Sequence, residues 1–409
     1  MRPRVFRDPV HGLISFQGAD APMARLLDTR AFQRLRRIRQ DGFASLVYPG
    51  AEHSRFGHAL GAYHIACRVT ERLDVPAAIA RDVKVAALVH DIGHGPFSHA
   101  WEVAFSGISH EQWGARIVEE DPELREILGD IAPELPAAQA RFFAGTYRPR
   151  FARKLVSSEL DVDRMDYLLR DAHYTGVGYS AYDLEWILHA LRIAPVADGD
   201  DSEDLVIDWR RGRYAVEQAL FGRFYMYAQV YYHKTVRAAE QMFTRAMERF
   251  GELARVGAEP PGLGAAAALA RGDAVTVSDY LGLDDGRVWC ALEDWGIGAA
   301  DDVLRDLCGR LVARRLFKAI DAPGEVPEAR LQAAAEAILG DRAPYYWVID
   351  RAEQSAGRGD LHVVGHPRHG TVALAKLVEE LPVTRQALTV RVLCAPELLS
   401  AFRAILCGP

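Results

Sequence analysis

Apolar residues recur at helical spacing through most of the first part of the chain. Leu26, Leu27, Phe32, Leu35 and Ile38 form one stripe after a helix cap at Asp28 or Thr29. The basic residues between them read as a solvated face. Residues 55–73 continue the pattern, and 111–129 and 153–171 are further amphipathic stretches. Val83 to Val89 is a near-continuous apolar run, a buried helix that Gly93, Gly95 and Pro96 should end. Pro195 to Asp204 breaks the period with the acidic turn Asp198-Gly199-Asp200-Asp201. Leu205 to Trp209, then Gly212, then Tyr214 to Val216 predicts a small hairpin. One long helix should follow over about 217–250. Gly257 to Gly262, with Pro260 and Pro261, punctuates the chain. Helical segments continue to about residue 339, and strands are expected at 345–349, 361–364 and 388–393. The expected fold is mainly α, a helical core over 1–255, a linker over 256–272 and a smaller C-terminal helical and α+β region over 273–409. No repeat of solenoid period is present.

Composition narrows the function. The chain has 409 residues, 49% hydrophobic and 26% charged, enough for one large domain and a smaller one. A net charge of -7 argues against general nucleic-acid affinity. Arg34, Arg36, Arg37 and Arg39 could still meet a phosphate. The five cysteines (Cys67, Cys290, Cys308, Cys394, Cys407) include no Cys-x-x-Cys pair, which fits a reduced, cytoplasmic compartment. Met1 to Asp8 lacks an apolar run, so no signal peptide is expected, and no segment suits a bilayer.

The chemistry concentrates in Leu88-Val89-His90-Asp91-Ile92-Gly93-His94-Gly95-Pro96-Phe97-Ser98-His99. Imidazoles beside a carboxylate at the end of an apolar helix suit a metal cation. Four other segments can supply partners. Arg55 and His58 share a helical face, so His58 can be a ligand with Arg55 beside it to receive phosphate. Asp163, Tyr167 and Asp171 recur every four residues, and Asp163 is the candidate fourth ligand. His110 and Glu111 can move a proton near neutral pH. Arg223, Tyr227 and Tyr231, with Lys234 beyond, could form a wall that stacks a sugar or base and holds phosphate. Taken singly, each has a structural alternative: a capping histidine, a salt-bridged surface or aromatic core.

His58, His90-Asp91 and Asp163 together make the H…HD…D signature of the HD superfamily of metal-dependent phosphohydrolases. Phe6 to Gly12, Asp28 to Arg36, Tyr48 to His58 and His90 to His99 resemble its deoxynucleoside triphosphate triphosphohydrolases. Those include the sterile-alpha-motif-and-HD-domain enzyme and its bacterial homologues. The resemblance runs from about residue 4 to about 250, and more faintly through Leu316-Phe317-Lys318. It implies an HD-domain helical core and hydrolysis of dNTPs to deoxynucleoside and tripolyphosphate. It implies His58, His90, Asp91 and Asp163 as ligands of Fe, Mn, Zn or Mg, with room for a second Mg or Mn. Catalytic roles would fall to His110 or a His94–Glu102 pair (Glu102 is usually Asp in the family), which would manage protons at the leaving or attacking oxygen, and to Glu111. Arg55, His99, Arg164 and Arg223 would surround the triphosphate, Arg164 standing where the animal enzyme has Lys. Tyr167, Asp171 and Tyr231 would close on the deoxyribose, with Gln40 on the 3′-hydroxyl. Asp41 stands where the animal enzyme has Leu.

The resemblance also implies an activating nucleotide at Asp28, Gln33 and Arg36, although Arg7 replaces an Asn and Trp186 an Arg of the activator sites. A homo-oligomer, dimer or tetramer, is implied as well. The competing readings are an HD-type hydrolase of nucleoside monophosphates or cyclic nucleotides, and a nucleotide sensor without catalysis.

Overall fold

The computed structural model describes residues 3–105, 107–196, 203–322, 324–352, 361–380 and 389–407. A short hairpin, β1 (Arg4–Asp8) and β2 (Gly12–Phe16), opens the chain. Helices follow: α1 (Arg30–Arg34), α2 (Arg55–Arg72), α3 (Ala77–Val89), α4 (His99–Ala104), α5 (His110–Glu120), α6 (Pro122–Ile131), α7 (Leu135–Phe143), α8 (Arg150–Val156), α9 (Val162–Thr175) and α10 (Leu184–Ala190). Strands β3 (Leu191–Ala194) and β4 (Asp204–Asp208) lead to α11 (Trp209–Met226) and α12 (Lys234–Arg255). Four more helices follow: α13 (Gly264–Arg271), α14 (Val277–Tyr280), α15 (Asp285–Gly298) and α16 (Asp302–Val312). The rest is β5 (Lys318–Asp321), α17 (Glu328–Leu339), β6 (Trp347–Ala352), β7 (His362–His366), β8 (Gly370–Ala373), α18 (Leu374–Glu380), β9 (Thr389–Cys394) and α19 (Leu399–Cys407).

The mainly α reading holds, as do the three C-terminal strands, with ends shifted by one to three residues. Local caps explain several boundaries. Thr29 caps α1 by accepting from the Phe32 amide. Asp121 caps α6, and Pro122 behind it splits the expected 111–129 helix in two. Asp161 caps α9 and likewise splits 153–171.

Two expectations fail. The hairpin at 205–216 is a single strand, β4, followed directly by α11. Gly212 lies inside that helix, where a Cβ would come 2.4 Å from the Ala190 methyl. It is a close-packing glycine, not a turn. β4 instead pairs antiparallel with β3 and parallel with β7, so its partners lie on both sides of it in sequence. The long helix over 217–250 is also interrupted. It passes through a π-helical turn at Tyr227–Tyr231, and His233 caps a new helix, α12. The acidic turn at 198–201 lies outside the described residues.

The sheets are ordered β1-β2, β3-β4-β7-β8 and β5-β9-β6. One continuous apolar core runs from Ile14 and Phe16 to Leu398 and Phe402. Among the described residues, no helix is long and apolar enough to cross a membrane.

Next to the core, Lys154 on α8 is fully buried and donates to Asp204 at 2.6 Å. Lys154→Met should therefore leave the buried Asp204 carboxylate with the more distant Arg150, 3.4 Å away, in place of its close partner and lower stability by about 3 kcal/mol. Urea unfolding followed by circular dichroism would show the shift, and an unchanged midpoint would contradict it.

Candidate metal and phosphate site

Helix α2 packs between α3 and α9, and this arrangement gathers the histidines and aspartates. Gly61 permits it. A Cβ there would lie 1.8 Å from Asp166 Oδ1 and 2.4 Å from an Arg170 nitrogen. Asp166 therefore reaches across to His58, whose Nδ1 lies 2.7 Å from Asp166 Oδ2. His90, at the end of α3, places its Nδ1 2.9 Å from the Ala87 carbonyl. A carbonyl only accepts, so that nitrogen carries the proton. Asp166 imposes the same tautomer on His58. Both rings thus turn Nε2 toward the same point, the arrangement used by metal-binding histidines.

The two Nε2 atoms lie 3.1 Å apart. Asp163 Oδ1 is 3.0 Å from that of His58 and 3.6 Å from that of His90. Ligands on one octahedral ion with bonds of about 2.1 Å stand about 3 Å apart. The spacing therefore fits a cation of that size. Asp91 lies 3.7 Å from His58 Nε2 and 3.4 Å from His90 Nε2. The surroundings favour positive charge. Burial opposes ionisation of His58, yet Asp163 and Asp166 raise its pKa to about 10.

The segment after His90 turns tightly. Gly93 packs so closely on α5 that a Cβ would lie 2.0 Å from the His110 carbonyl oxygen. Phe97 and Ser98 both adopt positive φ, 53° and 52°. Tertiary contacts hold them there. Arg55 donates to Ser98 Oγ through Nε (2.9 Å) and Nη2 (2.7 Å), and to Asp91 through Nη1 (2.5 Å). The Phe97 amide donates to Asp285 Oδ1 at 2.8 Å. Burial penalises the Asp91 charge, but Arg55, His90 and His94 hold that carboxyl well below its usual range.

His94 and His110 stack with ring centres 3.9 Å apart. Glu102 was expected to pair with His94. It accepts instead from the His110 Nδ1 (2.5 Å) and backbone amide (2.9 Å). His94 is buried, and its Nδ1 has no partner among the described residues. Burial and the nearby Arg55 cation push it well below the normal histidine range. Burial also acts on His110, but Glu102 overrides it and raises the pKa. Glu111 approaches His110 Nε2 at 3.4 Å, and His99 is 77% exposed with its Nδ1 3.5 Å from Glu102.

Many of these residues border a cleft of about 1220 Å³, whereas His58 and Glu102 are not among those that line it. Gln40, Asp41, Arg55, His90, Asp91, His94, His99, His110, Glu111, Asp163, Arg164, Tyr167, Asp171 and Tyr231 all line it. Tyr231 donates to Asp171 Oδ2 at 2.6 Å, and Tyr167 meets Tyr231 edge to face. Arg223 does not line the cleft. It is buried behind Tyr227, its guanidinium 5.5 Å from that ring, while Tyr227 itself faces the cavity. Lys234 is exposed. Asp28, Gln33 and Arg36 also lie outside the cleft. Asp28 pairs with Arg4, and Arg36 donates to Gln33 while covering the Phe56 ring.

Several contributors were not anticipated. Asp166, His11 and Arg170 form the network behind His58, with His11 Nε2 2.7 Å from Asp166. Asp166 and Arg170, four apart on one helix face and continuing from Asp163, were the available signal. Asp285 supports Phe97 and Arg39 from the C-terminal part, and no local pattern marks it.

The HD domain family matches residues 55–171, and the HD associated region matches 197–260. YwfO, an uncharacterized protein of Bacillus subtilis, is 36% identical over 356 residues, 85% of this chain and 79% of that protein. Deoxynucleoside triphosphate triphosphohydrolase SAMHD1 of Gallus gallus is 28% identical over 285 residues, 60% of this chain and 45% of that enzyme. The chain spans about half the length of further relatives. The crystal structure of a phosphohydrolase from Bacteroides thetaiotaomicron matches with a TM-score of 0.81 and 29% identity. It covers 96% of this chain and 100% of that one. Fold and site define a helical phosphohydrolase with a His/Asp cluster suited to a divalent metal. The chain belongs to the HD superfamily and is similar to its deoxynucleoside triphosphate triphosphohydrolases.

His58→Ala, His90→Ala and Asp163→Ala should each abolish stoichiometric metal binding while helicity persists. Asp166→Asn should weaken metal affinity by about 10- to 100-fold. Elemental analysis after equilibrium dialysis against Mn²⁺ measures both. Full occupancy in the three alanine variants would refute the ligand assignment.

Proposed function

We propose that the protein hydrolyses deoxynucleoside triphosphates to deoxynucleoside and intact tripolyphosphate. The observation that carries this reading is the cleft itself. It brings together a candidate cation site, the cations Arg55 and Arg164 with His99, and the hydroxyl and carboxyl groups of Tyr167, Asp171 and Tyr231. A triphosphate carries about four negative charges and needs several cations. A monophosphate would leave most of them unused.

His58, His90, Asp91 and Asp163 would hold the metal. When bound, it would acidify a water and polarise the α-phosphate. Arg164, half-buried at the first turn of α9, orients the phosphate tail. Arg55, whose three guanidinium nitrogens already donate to Asp91 and Ser98, supplies positive charge beside it. Tyr167, Asp171 and Tyr231 hold the sugar so that the α-phosphorus is the one beside the His/Asp cluster. Water adds to the α-phosphorus as the bond from that phosphorus to the 5′-oxygen breaks, and the proton the water gives up passes to solvent. His110, whose pKa Glu102 raises, gives its proton to the departing 5′-oxygen. The water oxygen remains on the tripolyphosphate.

Hydrolysis in ¹⁸O-water should label the α-derived phosphorus of tripolyphosphate and leave the nucleoside unlabelled. Stepwise release of dNDP and orthophosphate would overturn the reading.

The pH profile offers a second check. His110 is active as the protonated acid, so activity falls as pH rises through its pKa. Because Glu102 raises that pKa, Glu102→Gln should move the alkaline limb to lower pH and reduce kcat by about 10²-fold or more. An unmoved limb would remove Glu102–His110 from the acid role.

A further inference from the structure

The cleft continues past Arg164, away from Asp171. Along α9, Asp171 lies about 12 Å beyond Asp163, toward the far end of the helix. At the other end, α8 precedes α9 and packs on α3, and α7 packs on α3 and α5. Val89, Phe142, Phe143, Arg153 and Val156 line the cleft there, together with Gln139. The whole cleft, about 1220 Å³, exceeds the roughly 300–1,000 Å³ of an ordinary pocket for one ligand. Most of this chamber is apolar. Phe142 stacks on Tyr147 with ring centres 3.9 Å apart. Gly114 lets Phe143 lie on α5, since a Cβ there would come 2.3 Å from its ring. Gln139 is fully buried. Its Nε2 donates to the Asp82 carbonyl at 3.2 Å, whereas its Oε1 has no partner among the described residues. Arg153 is half-buried and donates through Nη1 to the Gly145 carbonyl at 2.5 Å. Among the described residues it pairs with no carboxylate. A buried acceptor left without a donor is costly. An ionised phosphate brings no donor, so a longer phosphate chain alone leaves the Gln139 oxygen unanswered. A nucleobase brings a flat ring for the phenylalanines and N–H groups for that oxygen.

Resting on the triphosphohydrolase reading, we infer that this chamber is a second base subsite, so that the cleft also takes dinucleoside 5′,5′-polyphosphates whose attacked end is a 2′-deoxynucleoside. The deoxynucleoside lies toward Asp171, and the phosphates cross the His/Asp cluster and Arg164. Arg153 meets the distal phosphate. The second base lies against Phe142 and Phe143, and Gln139 Oε1 accepts one of its N–H groups. Water adds to the α-phosphorus of the deoxynucleoside as the bond from that phosphorus to the 5′-oxygen breaks. The deoxynucleoside leaves with the His110 proton, and the proton the water gives up passes to solvent. The second nucleoside keeps the whole phosphate chain.

The test uses the 5′,5′-tetraphosphate that joins 2′-deoxyguanosine to guanosine. It is compared with 2′-deoxyguanosine 5′-tetraphosphate, which lacks the second base, both with Mn²⁺. Anion exchange should show deoxyguanosine and guanosine 5′-tetraphosphate as products of the first compound. Its kcat/KM should exceed that of the second by about tenfold or more. Gln139→Met keeps the bulk, removes the acceptor and should cut that ratio about fivefold. Phe143→Leu, which removes the stacking ring, takes its place if that variant fails to fold. A wild-type ratio near one, or a ratio unmoved by the substitution, means a chamber filled by water alone and overturns the inference. If neither compound releases deoxyguanosine, the triphosphohydrolase reading falls instead. Calorimetric binding of the same two compounds then decides the inference by itself. Tighter binding of the dinucleotide, lost in Gln139→Met, upholds it, and equal binding of the two refutes it.

Discussion

Everything in the site depends on one buried carboxylate. Asp166 is fully enclosed, and it accepts from Arg170 while holding His58 and His11. An isolated charge in such a place would be expensive. Arg170 lowers that cost by gripping Asp166 through two nitrogens, and a third nitrogen reaches Asp8 on β1. The same contact ties the N-terminal hairpin to α9 and fixes the His58 ring. It exists only because Gly61 lets α2 and α9 approach so closely. Stability and chemistry share one set of atoms here.

The cleft is electrically divided. Toward α4 and α5 it offers arginine and imidazole, with carboxylates placed to orient them. Asp91 faces Arg55, and Glu102 faces His110. Toward the end of α9 it offers carboxyls. Burial there raises the Asp171 pKa to about 7, although the Tyr231 hydroxyl pulls it back. A ligand with an anionic tail and a hydroxylated, uncharged ring matches both ends. Under the proposed function, that polarity would set the direction in which a nucleotide lies.

The C-terminal part takes a share in this geometry. Asp285 at the start of α15 holds the Phe97 and Arg39 amides, and Tyr280 donates to the Gly93 carbonyl. Tyr280 also stacks on Trp113 of α5, ring centres 3.8 Å apart. The strained pair Phe97-Ser98 is thus clamped from outside the helices that carry the ligands, consistent with strain being held by surrounding structure. Residues beyond 256 are therefore part of the site's support, even though none of the candidate ligands comes from them.

The candidate metal ligands were legible because they belong to short motifs at helix ends, where spacing alone predicts a shared face. His90-Asp91 after an apolar run and Asp163 four residues before Tyr167 needed no tertiary knowledge. The helical class and the C-terminal strands followed from periodicity in the same way. The π-turn at Tyr227–Tyr231 and the burial of Arg223 did not, since a single extra residue in a turn shifts a face that simple counting assumes continuous. Gly212 misled because a glycine that admits a neighbouring helix looks, in sequence, like one that makes a turn. Nor could sequence pair Glu102 with His110 rather than His94, because the tight turn at Gly93 sets which imidazole it reaches. His11 and Asp166 are 155 residues apart, and Phe97 and Asp285 are 188 apart. Local patterning determined which residues could do chemistry. Only tertiary packing decided which of them meet, because close approach depends on the volume and charge of partners far away along the chain.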